Sequence, residues 1–433
     1  MAMDGKELVE KLAKLSQVQS IKDIPQLTHA LFPGTHCPLM GAAMAVGGIK
    51  DSLIVVVGTD ECTYYTKSMT IHSEKFGGID GRCVSVVLDD HDVTFGSAEK
   101  VQEAFKEIIE EYRPQCVFLV TTCVIEIIGD DFDAISEGLS KLYGIPVLPV
   151  HTEHFKCEDH LPGLERTITV CAEMMKSCDC ENSVNLLGQR MGDFATTELY
   201  AMLQKAGVKI GLQLPCGCSV DDIKNAAAAK VNIVVNDIAL PLAQKMQEKF
   251  GIPYVYFNKF VIPEKIYEAY KNLFGYLELE LPGELEGLYQ NAREKIEKNK
   301  GELEGITYIY GNTPYAVFEM NCFLSSLGMV PQVIQTNRYT EADEPYAKEI
   351  LQYTDPYVCK AANIAPLQYV YDVLSPYLYL GHEFGNRLRQ KGIAIVDSDR
   401  ASGMLGFEVT GYLLQQLVKS VREAKEYRKE LGL

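Results

Sequence analysis

Apolar positions along this chain follow two alternating rhythms. Short unbroken runs rich in β-branched residues predict buried strands at Ser52–Val57, Val84–Leu88, Val117–Thr121 and Val147–Val150. Between them lie stretches of helical period. Ser97–Tyr112 carries Val101, Phe105, Ile108 and Ile109 on one face, and Pro114 stops it. Phe132–Tyr143 is a second helix, and Gly144-Ile145-Pro146 leads out of it. An amphipathic helix from Asp4 to about Ser16, with Leu8, Leu12 and Leu15 at helical spacing, precedes them all.

The rhythm restarts twice. One set comprises Val184–Gly188, Thr196–Ala206, Lys209–Leu214, Val220–Ala229, Val231–Val235, Leu240–Phe250 and Tyr254–Phe257. A charged helix at about Glu284–Lys300 reads as a linker. The other set comprises Thr307–Tyr310, Tyr315–Leu327, Val330–Gln335, Tyr377–Leu380 and Ile393–Val396, closed by a helix from about Phe407 to Glu430. Strand–helix–strand order predicts an α/β chain of three Rossmann-like βα domains with mostly parallel sheets. The expected organisation is an N-terminal helix (1–24), a first α/β domain (25–182), a second (183–300) and a third with the C-terminal helix (301–433). Ligands are expected at the carboxyl ends of the strands.

Composition narrows the function. The 433 residues are 47% hydrophobic and 23% charged, which is ordinary for a globular protein. The net charge of −18 repels phosphate backbones and argues against nucleic-acid binding. No apolar run is long enough to span a membrane, and the N-terminus carries charges where a signal core would be apolar, so a cytoplasmic address is expected. The 13 cysteines are therefore read as core thiols, metal ligands or redox groups rather than disulfides.

Three cysteines stand out by position. Cys37 lies before any predicted strand, Cys62 just past the end of the first, and Cys123 just past the end of the third. Thiols gathered there would make a soft anionic site suited to zinc or an iron–sulfur cluster. Their surroundings sharpen the reading. Cys37-Pro38-Leu39-Met40-Gly41-Ala42, the Gly-x-x-x-Cys-x-x-Tyr turn from Gly58 to Tyr65, Phe95-Gly96 before Glu99-Lys100, and above all Thr121-Thr122-Cys123-Val124-Ile125-Glu126-Ile127-Ile128-Gly129-Asp130-Asp131 occur together. Leu187-Gly188, Ala229–Val234, Gly251-Ile252-Pro253 and Gly406-Phe407-Glu408 continue the pattern. Over nearly its whole length the chain resembles component 1 of nitrogenase and its relatives.

That resemblance implies a cofactor, an iron–sulfur cluster ([4Fe-4S] or a larger P-cluster-like one), bound by Cys37, Cys62 and Cys123 at an interface with an identical or homologous subunit. It also implies electrons delivered by an ATP-dependent reductase of the iron-protein type. Glu126, Asp130 and Asp131 then read as structural residues that cap the following helix. Two family features are missing. Asn236 stands about where a cofactor-binding thiol would be, and Val396–Gly403 lacks the cofactor histidine, with His382 too early to replace it.

Further candidates are Cys216 and Cys218, in a tight loop after a second-domain strand, as ligands of a possible second metal cluster or as catalytic groups. His151 and His154 are candidate proton donors. The group His151, His154, Cys157 and His160 also permits a zinc reading, but Pro149 and Pro162-Gly163 argue for a loop. Cys178-Asp179-Cys180 reads as a linker, and Cys83, Cys116, Cys171, Cys322 and Cys359 as core. Gly77-Gly78-Ile79-Asp80-Gly81 lacks the Gly-Lys-Ser/Thr of a phosphate loop.

The leading expectation is an oxidoreductase: an electron-transfer subunit of a nitrogenase-like reductase acting on a small-molecule substrate held between domains. The alternative is a scaffold for assembly of a nitrogenase-type metal cluster. A cluster-free α/β binding protein is the bland reading.

Overall fold

The computed structural model describes residues 4–27, 36–71, 82–157, 159–190, 192–311, 313, 315–360 and 364–433. The glycine-rich stretch Gly77–Gly81 lies outside the described residues.

Three parallel sheets organise the chain. In the first, the strands run in the order Cys83–Val87, Ser52–Gly58, Cys116–Thr121, Val147–Val150. Every residue of Ser52–Gly58 is buried, because both faces are covered. Leu53, Val55 and Val57 pack under the helices Ala98–Tyr112 and Phe132–Tyr143, beside Phe105, Ile108, Phe132 and Leu139. Ile54 and Val56 face the opposite way, onto a core that runs on into the second sheet.

The second sheet is ordered Tyr254–Tyr256, Ala229–Val234, Glu181–Gln189, Lys209–Pro215, all parallel. The chain leaves Glu181–Gln189 toward one edge and returns on the other side, so its direction of winding reverses between that strand and Ala229–Val234. Such a reversal opens a crevice at the carboxyl ends. A short parallel bridge, Ile49–Lys50 with Cys218–Ser219, links the first and second sheets.

The third sheet runs Tyr357–Cys359, Val330–Gln335, Thr307–Tyr310, Leu378–Leu380, Ala394–Val396, again parallel. Its edge is completed by Ala13–Lys14, which pairs antiparallel with Tyr357–Cys359. This changes the expected N-terminal helix. The helix covers only Gly5–Glu10, and Leu12 and Leu15 belong to two different apolar clusters. Their helical spacing is overridden by the open sheet edge, whose unpaired backbone groups Ala13 and Lys14 satisfy. Likewise the expected helix over Val220–Ala229 stops at Lys224, because Ala229 already pairs with Glu181 as a strand. The charged helix expected as a linker, Leu285–Leu303, packs instead on the C-terminal helix Glu408–Leu431, burying Leu285, Ala292 and Leu303.

Candidate functional site

The three singled-out cysteines arrive on three helix N-termini. Cys37 caps the helix Pro38–Gly47, Cys62 lies in the first turn of Asp60–Ile71, and Cys123 opens Cys123–Ile128. The last two helices follow adjacent strands of the first sheet. Cys123 and Cys37 stand close enough to the Cys62 thiol for their charges to push it up. Burial is the main force pushing the Cys62 thiol up, and the neighbouring Thr59 side chain opposes it. Helix N-termini favour negative charge, so the site is built to hold thiolates once a cation compensates them.

Two glycines make this meeting possible. A Cβ on Gly58 would stand 2.3 Å from Thr122 Oγ1, so only glycine lets the end of one strand lie against the loop that carries Cys123. A Cβ on Gly163 would stand 1.8 Å from the Pro38 carbonyl oxygen. That contact sets the helix Leu161–Val170 directly on the helix whose cap is Cys37.

Acidic residues brace the frame. Glu126 Oε1 accepts from Thr121 Oγ1 (2.9 Å), Thr152 Oγ1 (3.1 Å) and the Glu153 amide (2.6 Å), tying the Cys123 helix to the next strand's loop. Asp130 accepts from the amide and hydroxyl of Ser97 (2.7 and 2.6 Å), and Asp131 caps the following helix through the Ala134 amide. Of the expected capping residues, only Asp131 caps the helix that follows. Beside the thiols, His36 Nδ1 lies 2.8 Å from the Tyr65 hydroxyl. Tyr64, Phe95 and Ile127 are exposed, at 70%, 76% and 71%.

The four groups of the zinc reading diverge. His151 Nε2 lies 3.2 Å from Asp133, and His154 packs edge-on against Phe155. Cys157 Sγ is 3.7 Å from the Arg166 guanidinium, and His160 Nε2 is 3.5 Å from Arg190. Among the described residues no three His, Cys, Asp or Glu side chains converge as ligands of a single ion. Cys178 and Cys180 are exposed. Cys116, Cys171, Cys322 and Cys359 are buried, and Cys83 is half-buried.

Cys216 and Cys218 separate. Cys218 is buried in the core between the first two sheets, which pushes its thiol up to about 12. Cys216 is exposed, 3.5 Å from the Arg190 carbonyl oxygen. Asn236 Oδ1 accepts from the Ile238 amide at 3.2 Å, so the amide that replaces a thiol is spent as a cap. His382 pairs with Asp399 at 3.4 Å.

The residues that reasoning from sequence missed are Arg190 and Lys259. Arg190 comes one position and Lys259 three positions after a second-sheet strand, so the rule that ligands sit at carboxyl ends was the signal available. Burial and the Arg190 charge hold the Lys259 ammonium down to about 8. Burial and then Arg190 hold His160 down to about 4, so its ring is neutral near pH 7.

This architecture, with thiols gathered at the carboxyl ends of the first of three parallel sheets, has known counterparts. Residues 37–422 match the nitrogenase component 1 type oxidoreductases, and the chain belongs to that family. Similar relatives include the nitrogenase iron-molybdenum cofactor biosynthesis protein NifE of Clostridium pasteurianum, 30% identical over 51% of this chain and 49% of that one. The NifE protein of Rippkaea orientalis is 25% identical over 73% of this chain and 69% of its own length. The nitrogenase molybdenum-iron protein alpha chain of Methanosarcina barkeri is 24% identical over 72% and 62%. The alignments thus span from about half to just over two thirds of these relatives. A solved structure of nitrogenase Cp1 at pH 6.5 shares the fold, with a TM-score of 0.77 over 93% of this chain and 95% of the other, at 14% identity. Among the described residues, no helix is long and apolar enough to cross a membrane.

Proposed function

We propose that this chain is a scaffold subunit that carries an iron–sulfur cluster on Cys37, Cys62 and Cys123 and holds a second metal cluster during its assembly. The observation that carries the reading is the meeting of three thiols, from three separate segments, at three helix N-termini. The donor set suits the group. Three thiols are soft ligands of the kind that iron–sulfur clusters take. Bound there, such a cluster supplies low-potential one-electron chemistry. The chain's own part is to keep the thiols close, to offset their charge with helix dipoles and to shield Cys62.

Two features favour scaffold over reductase. The relatives named above include NifE proteins, described as cofactor biosynthesis proteins. Asn236, at the place of a permanent cofactor thiol, is engaged as a backbone cap. A chain that does not keep the cluster permanently is suited to passing it on.

The second reading is an electron-transfer subunit of a nitrogenase-like reductase. It is favoured by the exposed side chains of Tyr64, two positions after Cys62, and Ile127, four after Cys123, apolar groups that a partner protein would cover. The partners in this reading are an identical or homologous component 1 subunit and an ATP-dependent reductase of the iron-protein type.

Iron and acid-labile sulfide on anaerobically purified protein, beside a Cys62→Ala variant, test the shared part. About two to four irons per chain, lost in the variant, are expected. Iron near zero in never-oxidised protein would sink both readings. Incubation with a cluster-free nitrogenase component 1 then separates them. The scaffold reading expects metal to be handed on; the reductase reading expects ATP-dependent turnover of a small molecule with no metal transfer.

A further inference from the structure

The winding of the third sheet reverses as well. From Thr307–Tyr310 the chain steps outward through Val330–Gln335 and Tyr357–Cys359, then returns to Leu378–Leu380 on the other side. Ile309, Val333 and Tyr379 share the face covered by the helix Ile364–Leu374, away from the second sheet. Gly311, two positions after Ile309, and Gln335, two after Val333, continue that face at its carboxyl end. A Cβ on Gly311 would stand 2.3 Å from the Tyr379 hydroxyl. The Tyr371 ring lies 5.9 Å from that of Tyr379, and Gln368 stands one helical turn before Tyr371. Here the chain leaves hydrogen-bonding atoms unmet. Gln335 Nε2, both polar side-chain atoms of Gln368, the Tyr371 hydroxyl and Glu383 Oε2 are shielded from solvent, and none bonds to a described residue. Tyr371 is 1% exposed and Gln335 5%. The charge of Glu383 reaches both tyrosines, and its other oxygen accepts from the Phe384 amide at 2.8 Å.

We propose that Gln335, Gln368 and Tyr371 form a binding site for the uncharged, planar head of a small ligand, one that sets a hydrogen-bond donor beside an acceptor as a purine base or a carboxamide does. Buried polar groups are as a rule bonded, so five unmet atoms in one place call for something the chain does not itself supply. Gln368 decides the kind of group. With its amide nitrogen and oxygen both free, it can give one hydrogen bond and take another side by side, the pairing by which a glutamine reads an adenine edge. Gln335 adds a donor, Glu383 an acceptor, and the Tyr371 hydroxyl serves as either. The Tyr371 and Tyr379 rings, inclined at 61°, give apolar walls for a flat group. Arg387, the cation whose charge reaches Glu383, lies over the Phe384 ring at 4.7 Å, so the site suits a neutral head better than a phosphate. Gln335 and Tyr371 form the buried end, and the half-buried Gln368 and Glu383 lead outward to the surface. The reversed winding puts a crevice at these carboxyl ends. The site stands on the third sheet and needs no cluster on the thiols.

Titration calorimetry on the purified full chain, with adenosine and with nicotinamide, tests this. Saturable binding of at least one of them at one equivalent is expected. Gln368→Met should weaken it by about tenfold or more, because two hydrogen bonds are lost together. Adenosine alone binding points to a purine ligand, and nicotinamide alone to a carboxamide. Thermal melting of the ligand-free variants supplies an independent reading. Polar groups with no partner in the chain stabilise nothing, so Gln368→Met and Tyr371→Phe should each melt at or above the parent. Three results would overturn the proposal: neither compound binds, which leaves ordered water as the occupant; binding is unchanged in Gln368→Met; or both variants melt well below the parent, which would give the amide and the hydroxyl partners within the chain.

Discussion

The thiol site and the cations Arg190 and Lys259 occupy the same kind of place, the carboxyl ends of parallel strands, yet they pose opposite electrostatic problems. Cys37, Cys62 and Cys123 become anionic when they bind metal, and helix N-termini stand ready to offset that charge. Arg190 and Lys259 are cationic from the outset, and no described carboxylate pairs with either. The supporting frames differ as well. The thiols are held by glycine contacts and by Glu126. Arg190 rests against His160.

The sharpest way to break the thiol frame without touching a thiol is Gly163→Val. The added carbon would fall inside the Pro38 carbonyl, which is backbone and has nowhere to go. We expect a loss of about 3 kcal/mol from overpacking, read by urea unfolding, and with it loss of iron. A variant as stable as the parent would show that the two helices do not pass this closely. Glu126→Ala comes next. It strands the Thr152 hydroxyl and the Glu153 amide, while Thr121 keeps the Val150 carbonyl as an acceptor, at a cost of about 2 kcal/mol, and Glu126→Gln should recover part of it because the amide oxygen still accepts.

The unequal legibility of these sites has a physical cause. Cys62 and Cys123 could be placed because each follows a β-branched run, and strand ends can be read from period and length. The core thiols could be placed for the same reason. Arg190 and Lys259 are ordinary surface residue types, and only the tertiary fold makes Lys259 buried. No local pattern announces burial of a lysine. The sheets were readable where strands are continuous apolar runs. The strand Ala13–Lys14 was not, since it is two residues long and is defined by the open edge beside Tyr357–Cys359. Helices such as Pro38–Gly47 escaped notice because apolar residues all round it leave no amphipathic stripe; nearly every position is buried.

Lys259 also allows a thermodynamic test that needs no ligand. Its folded value, about 8, lies below the ordinary lysine value of 10.5. Between those values the unfolded chain binds more protons than the folded one, so stability rises with pH there. The penalty of burying the charge is fully present below about pH 8 and is relieved as pH climbs through that value. The parent should therefore gain about 1 kcal/mol relative to Lys259→Met between pH 8 and pH 9. Parallel stability curves for the two proteins would mean that the ammonium is solvated or paired, and the contrast between the two sites would collapse.

The smallest effect belongs to Cys216. Its neighbour two positions on, Cys218, sits in the core between the first and second sheets, and replacing that sulfur with a hydroxyl should cost about 1 kcal/mol. Cys216 is exposed and packs in no core, so Cys216→Ser should stay within about 0.5 kcal/mol of the parent. Its iron content should also match the parent, because the thiol cluster lies on the first sheet. What the substitution should change is the chemistry beside Arg190. The parent should react with a thiol reagent at Cys216 while Cys218 stays protected, and Cys216→Ser should lose that reaction. Alkylation of both thiols at the same rate would mean that burial does not tell them apart, and the contrast between exposed loop and core would fail.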